Sequence, residues 1–290
     1  MGPKVTLYEE VRAAFGNNFT PRKKLGQNFL VHENVIESIL RLLDLSPQDA
    51  VLEIGPGLGF LTRRMIEVAA EIWAVEVDPF LAGWLQRSPL GANPKFHLLC
   101  DDVLKIELDQ WLPRSKFKFA ANLPYSISTP VLFRVFDWRD HFSSLVLMVQ
   151  KEVADRMAAK PGTKAYGTLS VWCQAFGRVT DKISVAPEAF VPRPEVRSTV
   201  LKIELFETPR MTSDEVPLLR GLVRSAFGQR RKTLSNALSS WLNQNRLAID
   251  GLLRSQGIDP KRRGETLTVD EFINLGRSLK PLAPPALQSE

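Results

Sequence analysis

Apolar positions in the first two-thirds of the chain alternate between a helical period and a strand period. Val35, Ile36, Ile39, Leu40 and Leu43 recur three and four residues apart, which predicts a helix from about 34 to 43 with one buried stripe. Strands follow near 51–54, 72–77, 96–99, 117–121, 144–149, 178–185 and 198–205, the first a short apolar run of Val51, Leu52 and Ile54 with β-branched residues, as expected of a central parallel strand. Helical spacing returns between most of them, near 60–69, 79–87, 129–137, 151–159 and 167–176. Alternating elements of this kind predict an α/β fold with a doubly wound, mostly parallel sheet. The last two strands are joined through Pro187 to Arg197 without a helical pattern, so they are expected as antiparallel neighbours, since a parallel return needs a longer crossover.

Beyond residue 205 the pattern is helical only. Thr212-Ser-Asp-Glu215 reads as a capping box leading into Leu218, Leu219, Leu222, Val223, Ala226 and Phe227. Leu234, Leu238, Trp241 and Leu242 mark a second helix, and Leu252 and Leu253 a third. Thr268-Val-Asp-Glu271 caps a fourth, which contains Phe272, Ile273, Leu275 and Leu279. The expected organisation is an N-terminal arm over 1–30, an α/β domain over 31–205, an all-α domain over 206–280 and a loose Pro-rich tail over 281–290.

Composition narrows the function classes. The 290 residues are 44% hydrophobic, enough for a sizeable core, and carry a formal net charge of +6, which suits a polyanionic partner. From residue 206 onward 13 Lys and Arg face 9 Asp and Glu, so most of the excess sits in the helical region. The two cysteines, Cys100 and Cys173, give neither metal spacing nor a disulfide framework and point to a reducing compartment. His32, His97 and His141 form no cluster in the sequence, and no metal site is expected. No apolar run has the length of a membrane span, and the N-terminus has no apolar signal core, so a cytoplasmic protein without membrane association is expected.

Two segments carry candidate chemistry. Val51-Leu-Glu-Ile-Gly-Pro-Gly-Leu-Gly59 reads as a central strand running through a glycine turn into a helix. Gly55, Gly57 and Gly59 permit a tight turn and close approach of a ligand to the backbone. The G-x-G-x-G spacing is not that of dinucleotide oxidoreductases. Glu76, at the tip of the next strand, can accept both hydroxyls of a ribose with its two oxygens; the alternative is a solvated strand-end carboxylate. Glu53 is expected to organise the loop or to reach a cationic group through water. Asn122-Leu-Pro-Tyr125 then sets an amide, a proline and an aromatic ring at the end of another strand. A nucleotide-like cofactor beside a site for a flat, amino-bearing base points to methyl transfer onto an exocyclic nitrogen.

These pieces belong to a longer ordered set. Lys23-Lys-Leu-Gly-Gln-Asn-Phe-Leu30, Glu53 to Gly59, Asn122 to Tyr125, Gln150-Lys-Glu-Val153, Phe190-Val-Pro-Arg-Pro-Glu-Val-Arg-Ser198 and Phe227-Gly-Gln-Arg-Arg-Lys-Thr-Leu234 appear in sequence. From about Pro21 to Leu279 the chain resembles the rRNA adenine N6,N6-dimethyltransferase family, in its bacterial small-subunit (KsgA-type) branch. The resemblance implies a Rossmann-like seven-stranded methyltransferase sheet with a small all-α C-terminal domain, and S-adenosylmethionine as cofactor. It implies as substrate two adjacent adenosines in the 3′-terminal hairpin loop of 16S rRNA, within an immature small subunit, with a role in subunit biogenesis and a monomeric enzyme.

By the same resemblance Gln27, Asn28 and Leu30 cover the methionine part of the cofactor, Gly55 and Gly57 approach it, Glu76 takes the ribose, and Asn122 touches it as well. Asp102 would accept from the cofactor adenine, with Asp101 as the rival. Asn122, Pro124, Tyr125 and Phe190 would hold the target base, the amide oxygen and a carbonyl of Leu123 or Pro124 accepting its two N–H bonds, and Tyr125 and Phe190 forming aromatic walls. Arg22, Lys23, Lys24, Arg230, Arg231 and Lys232 would contact RNA phosphates, with Lys261, Arg262 and Arg263 ranking lower. A 23S rRNA methyltransferase and an assembly factor of low catalytic use remain alternatives, and a dehydrogenase a distant one.

Overall fold

The apolar run at 50–54 becomes the third of seven strands in one sheet, flanked on both sides by parallel neighbours. The computed structural model describes residues 5–16, 26–113, 116–229 and 231–282. In chain order the first part runs α1 (Leu7–Phe15), β1 (Phe29–Leu30), α2 (Glu33–Leu43), β2 (Ala50–Ile54), α3 (Phe60–Met65), β3 (Glu71–Glu76), α4 (Pro79–Arg87) and β4 (Phe96–Cys100). It continues with α5 (Leu108–Trp111), β5 (Phe117–Asn122), α6 (Ser128–Asp137), β6 (Phe142–Gln150) and α7 (Lys151–Met157). After α8 (Thr168–Phe176) come β7 (Gly177–Val185), β8 (Phe190–Val191) and β9 (Ser198–Leu205).

The sheet order is β4-β3-β2-β5-β6-β9-β7. Strands β4, β3, β2, β5 and β6 are mutually parallel neighbours, while β9 enters between β6 and β7 and runs antiparallel to β6. All seven expected strands are therefore the seven strands of this sheet. Strand β2 steps outward to β3 and β4, and the chain then returns to place β5 on the other side of β2. This reversal opens a crevice at the carboxyl ends of β2 and β5. Val51, Leu52 and Ile54 are buried, as are Phe117, Phe119 and Ala120, so the strands that flank the crevice are held by core packing on both faces. One further pairing was not expected: β1 and β8 form a two-stranded antiparallel sheet, with Phe29 opposite Val191 and Leu30 opposite Phe190.

The helices follow their caps. Asp78 accepts from the backbone N–H of Phe80 at 3.0 Å and Pro79 opens α4, the preferred chemistry for a helix start. Helix α3 stops at Met65, shorter than the 60–69 periodicity, and Val68 is 42% exposed rather than part of its buried face. Its start is set by Gly59, which has φ +78°; a Cβ there would lie 2.7 Å from Leu90 and 2.9 Å from Leu85.

By internal contacts the chain forms two units, Met1–Ala154 with Val179–Leu205, and Asp155–Arg178 with Phe206–Glu290. The second unit thus includes α8, which the sequence pattern places among the sheet helices. Its remaining helices are α9 (Val216–Gly228), α10 (Leu234–Leu242), α11 (Arg246–Ser255) and α12 (Val269–Leu279). Helix α8 packs on α9 and α12, burying Trp172. The Thr268–Glu271 capping box is complete. The one expected at 212–215 is only half formed: Glu215 accepts from the Thr212 N–H, but 213–215 is a 3₁₀ turn and the α-helix begins at Val216, with Pro217 in its first turn. Among the described residues no helix is long and apolar enough to cross a membrane.

Gly59→Ala forces a side chain into left-handed backbone and against two buried leucines, so it should cost about 2–4 kcal/mol. The denaturant midpoint should fall with an unchanged slope.

Candidate active site

The crevice predicted by the strand order is a cavity in the first unit, lined from the carboxyl ends of four adjacent strands. β2 supplies Ile54 and the turn Gly55-Pro-Gly57, β3 supplies Glu76, β4 leads to Asp101 and Asp102, and β5 supplies Asn122 followed by Leu123, Pro124 and Tyr125. The segment 26–30 closes it from the N-terminal side. Every residue proposed from the sequence to touch the cofactor, namely Gln27, Asn28, Leu30, Gly55, Gly57, Glu76, Asp102 and Asn122, lines this one cavity, as do Pro124 and Tyr125. Backbone shape explains the glycines. Gly55 has φ +70° and Gly57 φ +61°, and a Cβ on Gly57 would meet the Phe29 ring at 3.2 Å.

Glu76 is 4% exposed and ties the strand tips together. One carboxylate oxygen accepts from Gly57 N–H at 3.1 Å and the other from Asp78 N–H at 2.9 Å. Asp78, absent from the sequence reading, also accepts from the Gln27 side chain at 2.7 Å, anchoring the covering segment to the start of α4. Its signal in the sequence is Asp-Pro directly after a strand. Glu53 is 3% exposed and accepts from the Thr62 hydroxyl at 2.6 Å, fastening β2 to α3. Neither Glu53 nor Glu76 has a basic partner among the described residues. Burial pushes the Glu53 carboxyl up to about 7, against the Thr62 hydrogen bond, with the Glu76 charge adding to the rise. Burial also raises Glu76, opposed by the N–H groups of Asp78 and Gly57. Among the described residues the cavity therefore holds two buried carboxyls with no counter-cation.

At the other end of the cavity the Asn122 amide nitrogen donates to the Asn28 carbonyl at 3.0 Å, which leaves its oxygen as the open acceptor. Leu123 N–H bonds Met148 O at 3.1 Å, and the Pro124 carbonyl closes the turn by accepting from Ile127 N–H at 3.2 Å. The Tyr125 hydroxyl lies 2.5 Å from Ser198 Oγ, so its ring is held from β9. Ser198 is the last residue of the Phe190-to-Ser198 motif and was not singled out as a site residue. Asp102 accepts from Leu104 N–H at 3.0 Å, and Asp101 accepts from Asp102 N–H at 2.7 Å; both line the cavity, with Asp101 the more exposed.

Phe190 stands apart from this set. It is 3% exposed, sits opposite Leu30 in the β1–β8 pair and packs in the apolar core, and it does not line the cavity. Of the proposed RNA contacts, Arg231 and Lys232 are exposed after α9, while Arg22, Lys23, Lys24 and Arg230 lie outside the described residues. Arg262 is committed within its own unit: it holds Glu271 with two hydrogen bonds, at 2.6 and 3.0 Å, and donates to the Thr266 carbonyl.

Because Glu53 is raised in the folded state, its contribution is full below the ordinary glutamate range and is lost as pH rises from about 4.5 to about 7. Glu53→Gln should remove that slope and leave the ligand-free protein more stable than wild type at pH 8 by on the order of 2–3 kcal/mol. Denaturant melts at pH 4.5, 6 and 8 check this.

Comparison with known proteins agrees with this geometry. The sequence profile of the family described as Ribosomal RNA adenine dimethylase matches residues 18–277. A protein of Geobacter metallireducens named Ribosomal RNA small subunit methyltransferase A is 45% identical over 271 residues, covering 92% of this chain and 98% of its own. Its namesake from Alkaliphilus oremlandii is 40% identical, covering 89% and 91%. Among solved structures, a dimethyladenosine transferase from Plasmodium falciparum superposes with a TM-score of 0.75 at 25% identity, covering 87% of this chain and 97% of its own. The 23S rRNA methyltransferase ErmE shares the fold, with a TM-score of 0.63 at 23% identity. A strand-end crevice with a glycine turn, an acid at the second strand and an Asn-Leu-Pro-Tyr corner thus stands in a chain that belongs to the ribosomal RNA adenine dimethylase family, whose members are S-adenosylmethionine-dependent rRNA adenine methyltransferases.

Proposed function

We propose that this enzyme methylates N6 of two adjacent adenosines in the 3′-terminal hairpin loop of 16S rRNA to dimethyladenosine, acting on an immature small subunit and serving its biogenesis. The observation that carries the reading is the Asn122 amide, whose nitrogen is occupied by the Asn28 carbonyl while its oxygen stays open. The names of the small-subunit relatives support the choice of RNA.

The cavity residues fit the cofactor. Two buried carboxyls without a basic partner suit a ligand that brings a positive charge and hydroxyl donors, and the bare Gly55 and Gly57 backbone allows close approach. Glu76 would take the ribose hydroxyls, Asp102 the adenine amino group, and Gln27, Asn28 and Leu30 would cover the methionine part. When bound, S-adenosylmethionine supplies an electrophilic methyl group.

The chain's own residues make the adenine amine reactive. That nitrogen is a poor nucleophile because its lone pair is delocalised into the ring. Asn122 Oδ1 accepts one of its N–H bonds. The Pro124 carbonyl already closes the turn with Ile127, so the Leu123 carbonyl is assigned the second. Two acceptors on one side favour a tetrahedral nitrogen with its lone pair turned to the opposite side, and they meet the positive charge that develops there. Tyr125, fixed by Ser198, offers its ring to a base turned out of its stack. Arg22, Lys23, Lys24, Arg230, Arg231 and Lys232 contact RNA phosphates.

The deciding experiment is methyl transfer from labelled cofactor to small subunits that lack the terminal-loop methylations, with products mapped by mass spectrometry. Two dimethyladenosines in that loop are expected; methylation confined to 23S rRNA, or cofactor binding with no transfer, overturns the proposal. Asn122→Ala should lower kcat about 10²–10³-fold with a smaller effect on cofactor Kd. An equal loss in both would remove its role at the amine. Glu76→Gln should weaken cofactor binding about 10–100-fold by calorimetry. An unchanged affinity would exclude the ribose contact.

A further inference from the structure

A second cavity, of about 640 Å³, lies within the helical unit between α9 and α10. One face of α9 lines it with Pro217, Arg220, Gly221, Arg224, Ser225 and Gly228, residues three and four apart, and α10 adds Ser240 and Trp241. The two helices approach closely because Gly221 has no side chain: a Cβ there would sit 2.3 Å from the Trp241 ring. The indole therefore lies on bare backbone and forms part of the cavity wall. Arg220 is held in place, its Cζ 5.4 Å from the ring centroid of the buried Trp172. Arg224 stands exposed one turn further on, and no carboxylate lines the cavity. Gln229 also lines the cavity.

These features select a ligand. An apolar helix would strip water from Arg224 without return. An acidic peptide would pair with Arg224 and make little use of the indole. A nucleotide brings a phosphate for the exposed cation and a flat base for the indole. We propose that the α9–α10 cavity receives one unpaired nucleotide of the RNA substrate. Its phosphate lies on Arg224 and its base against Trp241. The inference rests on the reading of rRNA as substrate given above and adds a second contact point to it.

The test uses the full-length protein and a single-stranded oligoribonucleotide of about eight residues carrying 4-thiouridine. Photo-cross-links are mapped by mass spectrometry, and affinity is measured by fluorescence anisotropy over a salt series. Cross-links within 217–241 are expected. Arg224→Glu should weaken binding about tenfold and flatten the slope of log K against log salt by about 0.7, while Arg224→Lys restores most of both. Trp241→Leu should weaken binding about fivefold or more with the slope unchanged. Cofactor affinity reports that each variant is folded. Wild-type affinity and slope in both the Arg224→Glu and Trp241→Leu variants, with cross-links elsewhere, overturn the assignment. So does protection of 217–241 by whole subunits but not by naked rRNA, which would mark a protein ligand. Cross-linking at the cavity by a protein that methylates no small subunit keeps this inference and removes the substrate reading instead.

Discussion

The parallel pairing of β2 with β5 is the constraint on which the rest depends. Ile54 faces Ala121 in the register of that pair, so the glycine turn and Asn122 leave the sheet at the same edge and at nearly the same level. β3 and β4 extend the edge on the other side of β2, which sets Glu76 and the pair Asp101 and Asp102 along one line. A slip of one residue would turn Asn122 to the opposite face of the sheet and separate the base-holding corner from the cofactor cradle. Core packing of Val51, Leu52, Phe117 and Phe119 holds that register, and in this sense the hydrophobic core performs part of the chemistry.

Electrostatics adds a second layer. Glu53 and Glu76 lie beneath the cavity, both raised by burial and neither paired with a cation among the described residues. Two such groups in a protein interior are unfavourable in isolation, and their hydrogen bonds to Thr62, Gly57 and Asp78 offset only part of that cost. The site is thus built for a visitor that completes it.

Much of this was legible because the informative residues obey simple periods. The central sheet strands are apolar runs long enough to register, and the glycines, Glu76 and Asn122 stand where those runs end. Other features leave no such trace. Strands β1 and β8 are two residues each, too short for any period, and their pairing sends Phe190 into the core. Helix α8 is buried over most of its residues, and nothing local says that it packs with α9 and α12. Arg262 reads as part of a basic run until Glu271 is seen beside it. In each case the missing information is a contact between residues distant in the chain or a partner on another element.

The β1–β8 pair has a consequence for how the site is made. The floor of the cavity comes from strands between residues 50 and 122, a contiguous stretch that emerges early in synthesis. The wall that carries Leu30 is pinned by Phe190 and Val191, and the Tyr125 ring by Ser198. A growing chain can therefore fold the cradle, with Gln27 and Asn28 tied to Asp78 and Asn122, before Leu30 has its strand partner, and the enclosure is completed once the Phe190-to-Ser198 segment has been translated. Closure of the pocket is in that sense the molecule's own signal that its α/β unit is finished.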